Sequence, residues 1–493
     1  MGHVRNYFFK VYMMKFKSRG MGLALGALLF SMVPLGVAAQ DKADEAVKAA
    51  QKYRGTTLNV TWNKGLMAKE VLLYSGPLWE KLTGIKLNVV EHMIGDMYPV
   101  VESEFIKKSG VFDLINVVPS SLPDYVELGA VEPLQPYLTK YGYSQELEDI
   151  APSFRSNWMK WDGKVYTIPD DGDVLTLYYR KDLFEDSANR AAFKKKYGYA
   201  LAAPATWKQF DDISAFFTEK YAPALYGSAM MHDSLSFYFF EERFRVNGGR
   251  FFDAKTMKAT INSPIGKKTL QEMVDRTKSM PPGAGKWGFM DVLGAFVEGK
   301  LAMTEFWPPL GRWAEGYGTD TEQLSWVPKS KVAGKVGYAV TPGGYSGIAA
   351  GFGLSISSQS KNKEAAYLFI QWLTSKKISL ERVQIPYSLR DPYRVSHYQS
   401  PSYRSRWPNA PQYLDTLAKA GKTGMPDLFL YQINRYERAL TEGLNAAFAG
   451  EVAPGAALDK VAASWDGLTQ AIGVDKQRAI YQSWAARPNA YPK

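Results

Sequence analysis

Asp170-Asp171-Gly172-Asp173 is the densest run of acids in the chain and follows Ile168-Pro169 directly. Four readings are open for it. Asp and Gly are turn residues, so the run can be a solvated turn. It can be a calcium loop, although the DxDxDG spacing and the glutamate at the twelfth position of an EF-hand are missing. Its carboxylates can accept charge-assisted hydrogen bonds from the hydroxyls of a polyhydroxylated ligand. Two of them can also act as the acid pair of a glycosidase, because their separation in space is not written in the sequence.

Other chemistries are poorly served. The four histidines are His3, His92, His232 and His397, with no helical metal spacing and no HExxH. There is no cysteine, hence no disulfide, thiolate catalysis, Cys-based zinc site or lipid-attachment Cys. GxSxG, GxxxxGK[ST] and a strand-following GxGxxG are also absent, and Gly351-Phe-Gly353 precedes a strand-like segment rather than a helix. No metal or cofactor is expected. Aromatic residues are plentiful at 14%, and two tryptophans stand where a ligand could meet them. Trp62 ends the first strand, at the carboxyl side where open α/β sheets bind ligands. Trp307 sits in Glu305-Phe-Trp-Pro-Pro, which cannot be regular helix. An indole face suits the C–H face of a sugar ring. Trp158, Trp161, Trp326, Trp372, Trp465 and Trp484 are expected to pack.

Strand and helix patterns alternate along the chain. Residues 57–62, 85–90, 113–118 and 174–179 read as strands, and 66–82 as a helix closed by Gly84. Thr206-Trp-Lys-Gln209 forms a capping box before a helix that buries Phe210, Ile213 and Phe217. Asn362 is placed to cap a helix with Ala366, Phe369, Ile370 and Leu373 on one face. From Tyr431 onward the pattern is helical, with Leu440, Leu444 and Phe448 inward, then Pro454 opening a helix that turns Val461, Trp465 and Leu468 inward. Strands separated by helices imply an α/β sheet covered on both faces.

The 493 residues suggest about three ordinary domains or two large ones. The net charge is +11, but Arg5, Lys10, Lys15, Lys17 and Arg19 precede residue 40, leaving a scattered +6 for the rest. No nucleic-acid footprint follows. Lys15, Lys17 and Arg19, the apolar run from Met21 to Phe30 and Val37-Ala38-Ala39 have the layout of a cleavable signal peptide over 1–39, with Met13 or Met14 as the more usual start. Residues 40–55 read as a charged leader. Export without an anchor points to the periplasm.

Asp113-Leu-Ile-Asn-Val-Val with Leu128-Gly-Ala-Val-Glu-Pro-Leu134, Asp162-Gly-Lys-Val-Tyr-Thr-Ile-Pro169 with Leu177-Tyr-Tyr-Arg-Lys-Asp-Leu-Phe184, Pro204-Ala-Thr-Trp-Lys-Gln-Phe210, Phe296-Val-Glu-Gly-Lys-Leu-Ala-Met303 and the segment from Lys361 to Leu373 occur in one order. That ordered set resembles the extracellular solute-binding proteins of ABC transporters, in the sugar-binding group that includes maltose-binding protein. Arg180 stands where the group usually has Asn, and residues 400–430 match poorly.

The resemblance implies an α/β, two-lobed periplasmic-binding-protein fold (type II). The ligand cleft would lie between lobes joined by three crossing segments. The N-lobe would comprise 56–168 plus 346–385 and the C-lobe 172–341 plus 390–493, with hinges near 168–173, 341–346 and 385–390. By position in the motifs, Trp62, Asn63, Asp171, Asp173, Trp307, Gly344, Tyr345 and Arg390 would touch ligand, and Asp96, Ser120 and His232 would face the cleft. The implied function is capture of a small carbohydrate or polyol at about micromolar affinity and delivery to membrane permease subunits by a monomer, with no bond broken. Arg390 admits an anionic ligand. The alternative is a secreted carbohydrate-active enzyme using Asp170, Asp171 or Asp173.

Overall fold

The computed structural model describes residues 41–348 and 351–492; the expected signal peptide lies outside them. Two sheets organise the chain. Strands β1 (Thr57–Asn63), β2 (Lys86–His92) and β3 (Leu114–Val117) open the first, and β4 (Ile168–Pro169) lies at its far edge. The second is built from β5 (Thr176–Arg180), β6 (Tyr226–Ala229), β7 (Leu301–Phe306) and β8 (Val336–Ala339). The chain then forms β9 (Gly347–Ile348), returns to the first sheet as β10 (Gly353–Ile356), and later pairs β11 (Met425–Pro426) with β9.

The first sheet has the order β2-β1-β3-β10-β4, with β1, β2 and β3 parallel and β10 antiparallel to both its neighbours. The second has the order β8-β5-β7-β6, in which only β6 and β7 are parallel. All four residues of β3 and of β10 and all six of β7 are buried, as expected of strands covered on both faces.

The helices follow their sequence signals with two instructive differences. Residues 66–83 are helical and end at Gly84, whose φ of 74° suits glycine, but the middle turn, Val71–Ser75, is π-helical. Thr206 caps the helix Trp207–Tyr221 by accepting from the Gln209 N–H at 3.2 Å. Gln209 reaches back one residue further than expected, to the Ala205 N–H at 2.8 Å. Asn362 precedes the helix Lys363–Thr374 without capping it; its amide donates instead to Asp113 at 3.2 Å. That helix is buried from Ala365 to Thr374 because Lys42–Ala50, the expected leader, packs on it through Ala43, Ala46 and Ala50. The region after Tyr431 is helical as expected, over Ile433–Phe448, Pro454–Ile472 and Val474–Ala485. No helix among the described residues is long and apolar enough to cross a membrane.

Candidate functional site

The chain leaves the first sheet for the second at residues 170–175 and leaves the second at 340–348, and a third segment, 384–394, follows the helix Lys376–Val383. These three crossings run together. Asp170 N donates to Phe352 O at 2.9 Å and Leu175 N to Gly347 O at 2.8 Å. Gly351 N donates to Asp173 Oδ2 at 3.1 Å, and Asp391 N to Asp171 Oδ1 at 2.6 Å. Gly172 permits this closeness: a Cβ there would stand 2.2 Å from the Pro392 carbonyl oxygen.

Beside the crossings lies a cavity of about 300 Å³. Asn63, Lys64, Met67, Met93 and Ile94 line it from loops following β1 and β2. Ser234, Leu235, Phe289, Trp307 and Pro309 line it from the second sheet's side, and Asp171, Asp173, Phe352 and Leu389 from the crossings. A neighbouring cavity of about 410 Å³ shares Met93, Ile94, Ser234 and Leu235 with it and is lined further by Asp96, Ser120, Asn434, Glu437 and Arg438. Thus four sequence-expected residues, Asn63, Asp171, Asp173 and Trp307, line one cavity, and Asp96 and Ser120 line the adjoining one.

Five others fall outside both, each for a physical reason. Successive strand residues face opposite ways, so while Asn63 lines the cavity, Trp62 points into the core, fully buried, with Arg390 stacked on its ring at 5.4 Å. Arg390 is also fully buried: its Nε lies 3.0 Å from Asp170, and its other nitrogens meet the Met67 sulfur and carbonyl oxygen. No guanidinium is therefore left there for an anionic ligand. His232 packs on Phe448 at 4.6 Å and bonds the Ala284 carbonyl through Nδ1, and burial first of all drives its pKa down to about 4. Gly344 and Tyr345 belong to a turn closed by Gly344 N to Thr341 O at 3.0 Å, away from the lining.

The acids of the crossing part company. Asp170 and Glu70 form a buried network with Arg382 and Arg390, in which Arg382 donates to both acids. Burial pushes the Glu70 carboxyl up, but Arg382 and then Arg390 outweigh it and hold it below the usual range. Asp171 and Asp173 instead face the cavity, with Asp391 behind them. One carboxylate oxygen from each of the three lies within 4.8 Å of the others. Burial, offset in part by Arg390, raises Asp171 to about 6. Burial and then the charges of Asp171 and Asp391 hold Asp173 well above the carboxylate range. Asp391 is raised likewise, chiefly by burial, against the opposing pull of Arg312 at 3.2 Å.

Trp307 is 5% exposed and set among Phe239 at 5.7 Å, Tyr238 at 6.0 Å and Phe289 at 6.5 Å. Carboxyls and aromatic faces thus line the same cavity, a combination that can meet both hydroxyls and an apolar face. Ser234, Leu235, Phe289, Phe352 and Asp391 carry no local signal that sequence reading could have used; tertiary approach alone brings them here.

Residues 44–378 match the bacterial extracellular solute-binding protein family. A mannitol-binding protein of Pseudomonas aeruginosa is 26% identical over 283 residues, 56% of this chain and 58% of that protein. The match thus spans little more than half of that relative. A probable amino-acid ABC transporter periplasmic-binding protein of Sinorhizobium fredii is 23% identical over 380 residues, 75% of this chain and 80% of that one. Two crystal structures of ABC transporter solute-binding proteins superpose with a TM-score of 0.67 at 24% identity. One, from Agrobacterium radiobacter with ribitol, covers 84% of this chain and 99% of its own. The other, from Agrobacterium vitis with D-mannitol, covers 85% and 99%. The fold is the two-lobed periplasmic-binding-protein fold.

Proposed function

The chain belongs to the bacterial extracellular solute-binding protein family, and from that premise we propose that it is the periplasmic capture subunit of an ABC importer for a small carbohydrate or polyol. The observation that carries this reading is one cavity of about 300 Å³ lined by Asp171 and Asp173 from the first crossing and by Trp307 from the segment after β7. The polyol ligands of the P. aeruginosa, A. radiobacter and A. vitis proteins support the ligand class. The three crossings, 170–175, 340–352 and 384–394, would be the hinges. Solute would shift the two lobes toward a closed state only in proportion to its extra affinity for that state. The closed monomer would then present itself to the permease.

The enzyme alternative is less well supported. Asp170 is sealed behind the wall by Arg382 and Arg390. Asp171 and Asp173 lie two residues apart on the same crossing, whereas glycosidase carboxyls stand on either side of the scissile bond.

The test is calorimetry and thermal shift over pentitols, hexitols, monosaccharides and disaccharides. At least one should bind near micromolar affinity without being consumed, and Trp307→Ala should weaken it. Hydrolysis of a glycan, or stabilisation by none of these solutes, would end the reading.

A further inference from the structure

Among the described residues, the buried carboxyls at and behind the cavity outnumber the guanidiniums that reach them. Glu70, Asp170, Asp171 and Asp391 are fully buried and Asp173 partly so; Arg312, Arg382 and Arg390 answer them. Arg382 and Arg390 are committed to Glu70 and Asp170. Arg312 sits 3.2 Å from Asp391 and gives its remaining nitrogen contacts to the Val383, Ser388 and Arg390 carbonyl oxygens and the Tyr403 hydroxyl. The carboxyls left without a guanidinium of their own are therefore Asp171 and Asp173, the two acids that line the cavity.

A second observation points the same way. Asp171 accepts from Gly172 N and Asp391 N through Oδ1, while its Oδ2, fully enclosed, accepts no hydrogen bond among the described residues. A buried carboxylate oxygen without a partner is costly, and a bound positive charge relieves that cost. Trp307 and Phe289 line the same cavity from the second sheet's side and Phe352 from the second crossing, and aromatic faces attract cations electrostatically. The lone cationic side chain in the lining, Lys64, is exposed at the rim.

We propose that Asp171 and Asp173 at the cavity, backed by Asp391, form a cation site, filled by a protonated amine carried on the hydroxylated solute. A divalent ion such as calcium, held by carboxylate oxygens beneath a neutral polyol, is the other source of the same chemistry. The acids come from the first and third crossings, and Gly351 of the second bonds Asp173, so a charge seated there would tie the three crossings together. This rests on the solute-binding reading and narrows its ligand class.

The experiment uses the whole protein treated with EDTA and three matched pairs: glucitol with 1-amino-1-deoxyglucitol, mannitol with 1-amino-1-deoxymannitol, and glucose with glucosamine. Calorimetry should find at least one amine bound tenfold or more tighter than its neutral partner, with the difference lost in Asp173→Asn. Calcium chloride alone is titrated in parallel. Heat of binding, together with a tenfold gain in neutral polyol affinity lost in the same variant, would support the site and assign the charge to the metal. Asp171→Asn replaces Asp173→Asn if circular dichroism shows that the latter has not folded. Neutral solutes binding as tightly as their amines, indifferent to calcium, would overturn the cation site and leave solute capture standing. No binding by any solute or by calcium would overturn both.

Discussion

Asp170 and Asp171 share a peptide bond, yet Asp170 is gripped by Arg382 and Arg390 while Asp171 keeps an enclosed oxygen without a partner beside the cavity. The first belongs to a network of two acids and two arginines, the second to a trio of acids with one arginine at its back. Charge balance separates the two: the matched network is closed on itself behind the cavity, whereas the trio, with two members in the cavity lining, is the part on which the proposed binding rests.

The comparison breaks most sharply on removal of a partner. Arg382→Met should cost about 3–5 kcal/mol in denaturant unfolding, because it strands buried carboxylates. Asp171→Asn should leave stability within about 1 kcal/mol or raise it, since a repelled charge disappears, while solute affinity falls. Equal stability losses in the two variants would erase the distinction.

The tryptophans extend the contrast. Trp62→Ala should lower stability by about 3–5 kcal/mol through the cavity it leaves under Arg390. Trp307→Ala should weaken solute binding by about 1–3 kcal/mol, as a lost aromatic wall does. Calorimetry and chemical denaturation on both variants check this, and a loss of affinity confined to Trp62→Ala would reverse the assignment.

The smallest effect is on pH. Burial raises Asp171 to about 6 and Glu241, Glu242 and Asp124 to about 7, and Glu437 to about 8. These groups keep protons in the folded state that the unfolded chain releases near pH 4. Their stabilisation is present on the acid side and is lost as pH rises through these folded values. Glu70, held below its usual value, contributes in the opposite sense only at lower pH, while His232, lowered by burial to about 4, and His397, lowered likewise, oppose the trend below about pH 6.5 but are outnumbered by the raised acids. The ligand-free protein should therefore melt some degrees higher at pH 5 than at pH 8. A steady rise in melting temperature over that interval would show that the acids are not held protonated.

Much of this architecture was legible in residues alone. The alternation of strands and helices, the Thr206 cap, the burial of Phe210, Ile213 and Phe217 and the helical C-terminal region all follow from local periodicity and capping chemistry, which act within a few residues. The acid run at 170–173 could be singled out by its density of carboxyls, and Trp307 by its place in a proline-bound segment that cannot be regular helix. The partition between Asp170 and Asp171, the inward turn of Trp62 and the sequestration of Arg390 could not. Each depends on which distant side chain occupies the adjacent space, as Arg382 does 212 residues beyond Asp170. Local forces determined the elements and the candidates. Only the meeting of the three crossings decided which carboxyls are neutralised and which face the cavity, because burial and charge balance are properties of the assembled neighbourhood.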